Sequence, residues 1–597
     1  MNRFRSLCLL IVLVAAISTA RAQAPKLFDV PPSNAFVCVG VSDTTQLRAQ
    51  WAKTPIAQLW KDPAVQQFTA PGRKKFAEWW SEKLAGNEAL RDKWVAYFPG
   101  PVVFFIDAMI WHEDLGEMEI PLCFAGKIGL PREEYMKFIN DFMAKLPPDA
   151  AKSQYEVNGV QVRMAKYTQE FERDQPASPF GPSAPQPATP SPVKVPCYFQ
   201  YAFAGDVLLI TDGEEAIMRR MVNRLQKPVQ DSLLNQPSIK RTRALLADPA
   251  QIIAYCDLKQ AVGAWLKDTQ AQQPIQLVNL KALGLQELGG LAAAISLSEQ
   301  KVASALALDL PQTGPGVVGI VRQLRPSPLR TAALTPGSAL SYDSFAANWV
   351  GLYDEIRNTI KSVVPMADAG LAMGISNFET EQKISIRGIL NAFGEEVGYC
   401  TLTLPKEPND PKLVFLIAVK DAKYLQQSID TLLQTAQGWV RVTPSEFLGF
   451  QIRSATPVAP PGEAAPGPMI SWVFTNDFVI LGDSTDALKE VLQFKAGRRT
   501  DSFAATPIYR QARAALPPKV DGLGIQNTGA LAETLLGKLA EIARQPGFQG
   551  SFGEIFDTSR AIPADIARRY VGLGASALLV EPTGLAMVGF IAGPEKK

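Results

Sequence analysis

A single histidine, His112, serves a chain of 597 residues. That scarcity excludes paired-histidine zinc motifs and leaves any histidine-dependent serine triad one residue to recruit. Cysteine is sparse too. Cys8 sits in the N-terminal apolar stretch, and Cys38, Cys123, Cys197, Cys256 and Cys400 follow in apolar, strand-like settings. Five thiols cannot all pair within one chain, and their spacing is that of neither a disulfide framework nor a metal site, so they read as small core residues. Also missing are a glycine-rich phosphate loop ending in Gly-Lys-Ser/Thr, a dinucleotide fingerprint and a loop with calcium-site spacing. No cofactor and no metal are therefore expected.

Long apolar runs are absent beyond the N-terminus, where a membrane helix would need roughly 18 such residues, so no transmembrane anchor is expected. Met1 to Ala22 carries Arg3 and Arg5, an apolar core from Leu7 to Ile17 and the small-residue triplet Ala20-Arg21-Ala22. That pattern is a secretory signal peptide, and it points to a periplasmic or secreted protein. Its removal takes three of 60 basic residues against 58 acidic ones, leaving a net charge of −1. A near-neutral chain without a basic run offers no electrostatic footprint for nucleic acid.

What is present occurs twice. Tyr201 opens YAFAGDVLLITDGEEAIMRRMV and Trp472 opens WVFTNDFVILGDSTDALKEVL, with Phe203, Asp206, Asp212 and Ala216 matching Phe474, Asp477, Asp483 and Ala487. Each copy reads as strand, turn, strand and helix, with Asp212 or Asp483 expected to cap the helix. Upstream, helix residues match at a constant offset of 290 (Ile139 with Ile429, Phe142 with Leu432). The same offset aligns Asn158-Gly159-Val160-Gln161-Val162-Arg163 with Leu448-Gly449-Phe450-Gln451-Ile452-Arg453, a hairpin signal of positive-φ residues between alternating strands. After a proline-rich break in each copy the offset falls to 271, so the second break is 19 residues shorter. These breaks, residues 172–196 and 456–468, read as insertions within a domain rather than strands.

Domain boundaries follow: a signal peptide at 1–22, a first repeat at 23–330 and a second at 331–597. The strand-rich pattern joined by hairpins predicts an α+β fold, two tandem copies of a mainly antiparallel sheet with helices packed on one face, and one extended sheet shared by the copies is an arrangement open to them. Between Pro71 and Lys93 the Trp79, Trp80 and Leu84 pattern predicts a core-covering helix. Runs at Gly370–Asn377 and Lys383–Ile389 predict an additional hairpin in the second copy.

Chemistry is thinly represented. Leu481-Gly482-Asp483-Ser484 resembles the nucleophile block of the GDSL-type esterases, but His112 lies far upstream of the position that family uses, and the other copy has no serine there. Helix capping accounts for Asp483 and Ser484. The polar positions shared by the copies, Gln161 with Gln451 and Arg163 with Arg453, are candidate binding residues, because residues two apart on a strand share a face. A solvated or ion-paired face is the competing account.

The Pro32-Ser33-Asn34-Ala35 and Pro336-Gly337-Ser338-Ala339 openings, the Asp-turned strand pair running into a helix and the tandem copies together resemble exported bacterial envelope proteins of a domain-of-unknown-function family. The resemblance implies an envelope location and an α+β fold, and it carries no catalytic residues. The sequence thus points to a non-enzymatic binding or structural envelope protein whose partner is a protein or other large ligand. A hydrolase using Ser484 or His112 and a binder of lipid or small apolar ligands are the alternatives.

Overall fold

The computed structural model describes residues 26–594 except 85–87, 109, 113–116, 172–192, 228, 273–278, 437, 459–468, 543–554, 558–562 and 564. The expected signal peptide and most of both proline-rich breaks lie outside the described residues.

The first half contributes β1 (Val37–Val41), β2 (Val102–Ile106), β3 (Ile110–His112), β4 (Glu117–Glu119), β5 (Leu122–Lys127) and β6 (Ala151–Val157). It continues with β7 (Val160–Phe171), β8 (Val193–Ala204), β9 (Val207–Thr211), β10 (Ile252–Asp257), β11 (Gly290–Ser298) and β12 (Lys301–Asp309). The second half contributes β13 (Leu324–Arg325), β14 (Ser341–Ala347), β15 (Phe393–Leu404), β16 (Glu407–Val419), β17 (Val440–Phe447) and β18 (Phe450–Pro457). It ends with β19 (Ile470–Phe474), β20 (Phe478–Gly482), β21 (Gly522–Asn527), β22 (Leu573–Glu581) and β23 (Gly584–Ala592).

All but β3 and β4 belong to one antiparallel sheet. From one edge the ladders run β6, β7, β8, β9, β5, β2, β1, β10, β11, β12. From the other they run β17, β18, β19, β20, β16, β15, β14, β21, β22, β23. The two series are the same path, and they meet where β12 pairs with β23. The short β13 adds to the end of β14.

Helices cover both faces, not one. In β2, Val103 and Phe105 pack with Ile217, Met218, Met221 and Val222 of helix Glu215–Gln226. Val102 and Phe104 face the other way, toward Tyr135 and Ile139 of helix Arg132–Ala144. The second half repeats this, with Leu488, Val491 and Leu492 of helix Thr485–Lys495 on one side and Leu425 of helix Ala422–Thr435 on the other. The physical reason is legible in β2, whose run VVFFI is apolar at consecutive positions. A strand with one wet face alternates.

Four other expectations are corrected. Residues 370–389 form no hairpin: helices Pro365–Gln382 and Ile386–Ala392 occupy them. Alanine, leucine and methionine suit a helix, and Pro365 stands at its first turn, where a missing N–H costs nothing. The Pro71–Lys93 stretch divides into helices Ala70–Leu84 and Glu88–Tyr97; Trp79 is exposed, and the side chains of Trp80 and Leu84 lie outside the described residues. Pro196 and Pro457 are strand residues, with Pro196 opposite Thr168 and Pro457 opposite Val440. Finally, neither Asp212 nor Asp483 caps a helix. Asp212 Oδ1 accepts from the Leu122 amide at 2.6 Å, and Asp483 accepts from the Leu413 amide at 3.2 Å, so each aspartate ties down the start of a neighbouring strand segment.

Both expected hairpin turns are present. Asn158 and Gly159 have φ of 49° and 81°, and Leu448 and Gly449 have 52° and 80°, the left-handed pair that a two-residue hairpin requires. Leucine is strained there because its Cβ crowds the following carbonyl. Leu448→Asn is therefore expected to raise stability by about 0.5–1 kcal/mol, and Asn158→Leu to lower it by at least as much. Urea melts of the two variants check both signs.

Candidate functional site

The strand order decides which residues can act together. Gln161 and Arg163 lie on β7 and Gln451 and Arg453 on β18, each the second strand from its own edge of the sheet. The two pairs therefore lie toward opposite ends of the strand order. Gln161 donates to Glu156 Oε2 at 2.9 Å, and Arg163 Nη1 donates to the Tyr201 hydroxyl at 3.3 Å. Arg453 forms an ion pair with Asp430 of helix Ala422–Thr435. Gln451 is exposed opposite Glu446. Each contact is local to its own lobe.

The residues considered for hydrolysis are also dispersed. Ser484 stands before helix Thr485–Lys495 without a side-chain capping bond. Behind it, Ser454, Ser471 and Thr485 bond to one another at 2.8–3.1 Å. His112 ends β3, whose hairpin with β4 is separate from the main sheet, and its side chain lies outside the described residues. Among the described residues no group of three histidine, cysteine, aspartate or glutamate side chains could hold a metal ion. Cys38, Cys123, Cys256 and Cys400 form no disulfide. Burial raises the Cys38 and Cys123 thiols well above their ordinary range and pushes Cys400 up to about 12, so these three are poor nucleophiles near neutrality.

A different cluster emerges where the halves differ. Ladder register makes Val39, Phe104, Ala254 and Ala293 of the first half equivalent to Asp343, Tyr399, Gly524 and Ser576 of the second. The first set is apolar. Beside it, Trp94 of helix Glu88–Tyr97 lies over the Phe104 and Phe124 rings, with centroids 6.4 and 6.3 Å away, and Phe98 packs edge-on against Phe124 at 5.0 Å. In the second half, Phe415 holds the place of Phe124. It is 36% exposed, whereas Phe124 is 9% exposed, and its ring meets Tyr399 at 5.8 Å. Among the described residues the ring contact of Phe415 is with Tyr399 alone.

The cluster belongs to a row that crosses six strands. Tyr399, Asp343, Gly524, Ser576, Gly589 and Ser304 stand directly opposite one another in succession on β15, β14, β21, β22, β23 and β12. Directly opposed residues share a face, so polar side chains alternate here with glycines. At about 4.8 Å per strand the row spans on the order of 24 Å. Gly524 is needed where it is: an added Cβ would lie 2.7 Å from Asp343 Oδ1 and 2.9 Å from Ser576 Oγ. Beside this row, two residues along, run Leu578, Met587 and Leu306, the last two being 46% and 37% exposed. The trough thus has a polar floor and an apolar shoulder. On the opposite face of the same strands, Ala305, Ala577, Ala586 and Val588 are core residues.

Burial pushes Asp343 up to about 6, against the lowering effect of its hydrogen bond with Tyr399. Tyr399 is in turn raised by burial and by the Asp343 charge. Sequence reasoning missed this site because it searched for positions at which the copies agree. The available signal was the reverse, an acid in β14 where β1 has valine.

A cleft of 490 Å³ beside the β8–β9 turn is lined by Lys127, Asp206 and Gln226 among apolar residues. Lys127 and Asp206 pair with each other there at 3.7 Å.

No protein-family model matches the chain, and no curated protein matches it. Among solved structures, two crystal forms of TP0453 show 11% and 12% identity, each with a TM-score of 0.22. They cover 49% and 50% of this chain and 81% and 85% of theirs, a likeness too slight to carry an argument about fold or function.

The raised Asp343 carboxyl has a thermodynamic consequence. The folded state holds this proton more tightly than the unfolded chain, so the associated stability is full below pH 3.8 and is lost as pH rises through about 6. Asp343→Asn is expected to abolish that decline, which is on the order of 2 kcal/mol. Thermal melts of both proteins between pH 4 and 8 check this, with the variant matching or exceeding the parent at pH 8.

Proposed function

We propose that this chain is an exported, non-catalytic binding protein, built from two tandem α+β copies, whose open sheet face takes an elongated amphiphilic ligand. The observation that carries the reading is the difference between Phe415 and its counterpart Phe124. Phe415, Met587 and Leu306 are 36%, 46% and 37% exposed beside a polar row, whereas Phe124 is 9% exposed and packed by Trp94 and Phe98. Ligand sites combine an apolar lining with a few converging polar groups, and this trough has that composition. Export rests on the leader at Met1 to Ala22 and agrees with the resemblance to exported envelope proteins. Among the described residues no helix is long and apolar enough to cross a membrane. The dispersed positions of Ser484 and His112, and the separation of the Arg163 and Arg453 lobes, favour this trough over the other candidate surfaces.

The reading is tested with the apolar dye N-phenyl-1-naphthylamine and the double variant Leu306→Gln/Met587→Gln. Both side chains are substantially exposed, so stability should move by no more than about 1 kcal/mol in total. Dye affinity should fall roughly tenfold with the loss of the apolar shoulder. Unchanged dye binding in the folded variant would remove the trough from consideration.

A further inference from the structure

The trough has a chemical polarity of its own. Asp343 is the acid in the row, and among the described residues no lysine or arginine forms an ion pair with it; burial raises its carboxyl and the Tyr399 hydrogen bond lowers it. Buried carboxylates ordinarily stand beside a cation, because desolvation without a partner is costly. Elsewhere in this protein they do: Asp107, 5% exposed, pairs with Arg220, and the fully buried Glu396 is reached by Arg330 and accepts the Arg330 and Thr331 amides. Asp343, which is half-buried, has no such cation beside it among the described residues. Its neighbours along the row are the Tyr399 and Ser576 hydroxyls, and Gly524 leaves the space beside both Asp343 Oδ1 and Ser576 Oγ free of a side chain.

We infer that Asp343, supported by Tyr399 and Ser576, anchors the protonated amine head of a long-chain ligand whose alkyl chain lies against Leu578, Met587 and Leu306. The inference rests on the trough reading above and specifies its ligand class. An ammonium group supplies the missing positive charge and three donors, which match a carboxylate and two hydroxyl oxygens. The glycine positions admit the head close to the sheet, and the apolar shoulder beside the polar row accepts the chain. A carboxylate or phosphate head would meet Asp343 with like charge. The corresponding place in the first half, with Val39, Phe104, Ala254 and Ala293, offers no such anchor.

The test uses the mature chain at pH 7.5 and three probes of equal chain length below their micelle concentrations: dodecylamine, dodecanol and dodecanoate. Each displaces N-phenyl-1-naphthylamine, and affinities are confirmed by calorimetry. Dodecylamine should bind about tenfold or more tightly than dodecanoate, and Asp343→Asn should erase that preference while leaving dodecanol affinity unchanged. Ser576→Ala, a milder change, should weaken dodecylamine alone by a few-fold; circular dichroism establishes that both variants are folded. Equal dodecylamine affinity in the parent and Asp343→Asn proteins would overturn the anchor while leaving the trough reading intact. Failure of all three probes to displace the dye would overturn both.

Discussion

Nine antiparallel residue pairs between β12 and β23, from Lys301 opposite Ala592 to Asp309 opposite Gly584, join the two halves into one sheet. Each strand would otherwise be the open edge of its own half, with a row of unpaired amides and carbonyls. Their mutual pairing satisfies both. On the sealed face the seam is lined by small residues, Ala305, Ala307 and Ala586, which let helix Pro237–Leu245 settle against β11, β12 and β23 together. Arginines fasten the turn after β22. Arg241 donates to the Thr583 hydroxyl at 2.6 Å and pairs with Glu581 at 3.1 Å, and Arg322 bonds the Glu581 and Pro582 carbonyls.

That seam determines what each face can do. Because β12 and β23 are in register, the core on one face runs from the Val103 and Phe105 side of the first half into the Leu488 and Val491 side of the second, and helices close it. On the other face, helices Thr44–Trp51, Glu88–Tyr97 and Arg132–Ala144 pack on the first half and helix Ala422–Thr435 on the second. The centre of that face lies where the copies meet, so neither copy alone contains the whole trough: Ser304 and Leu306 come from the first half and Tyr399, Asp343 and Ser576 from the second.

The shared strand path of the two halves also makes asymmetry informative. Two copies with the same ladder registers share the same packing demands, and a difference at equivalent positions is then not dictated by the fold. Val39 is half-buried and apolar on its face of the sheet. Asp343 at the same register places a carboxylate in a partly desolvated setting that weakens the protein above about pH 6, and such a choice is consistent with a demand other than stability.

Local sequence determined a good deal. The Asn158-Gly159 turn and its Leu448-Gly449 counterpart, the hairpins β11–β12 and β22–β23, and the stripe of helix Arg132–Ala144 are all short-range patterns, set by φ preference and side-chain period. It failed where two local preferences compete, as at 370–389, where an apolar run serves strand or helix equally until its neighbours are known. Asp212 and Asp483 looked like caps because the nearest orphan amides in sequence belong to the following helix, yet their carboxylates bond strand amides 90 and 70 residues away. The site itself was decided by tertiary structure alone. Tyr399, Asp343, Gly524, Ser576, Gly589 and Ser304 are scattered over nearly 300 positions, and only the order and register of six strands bring them into one row.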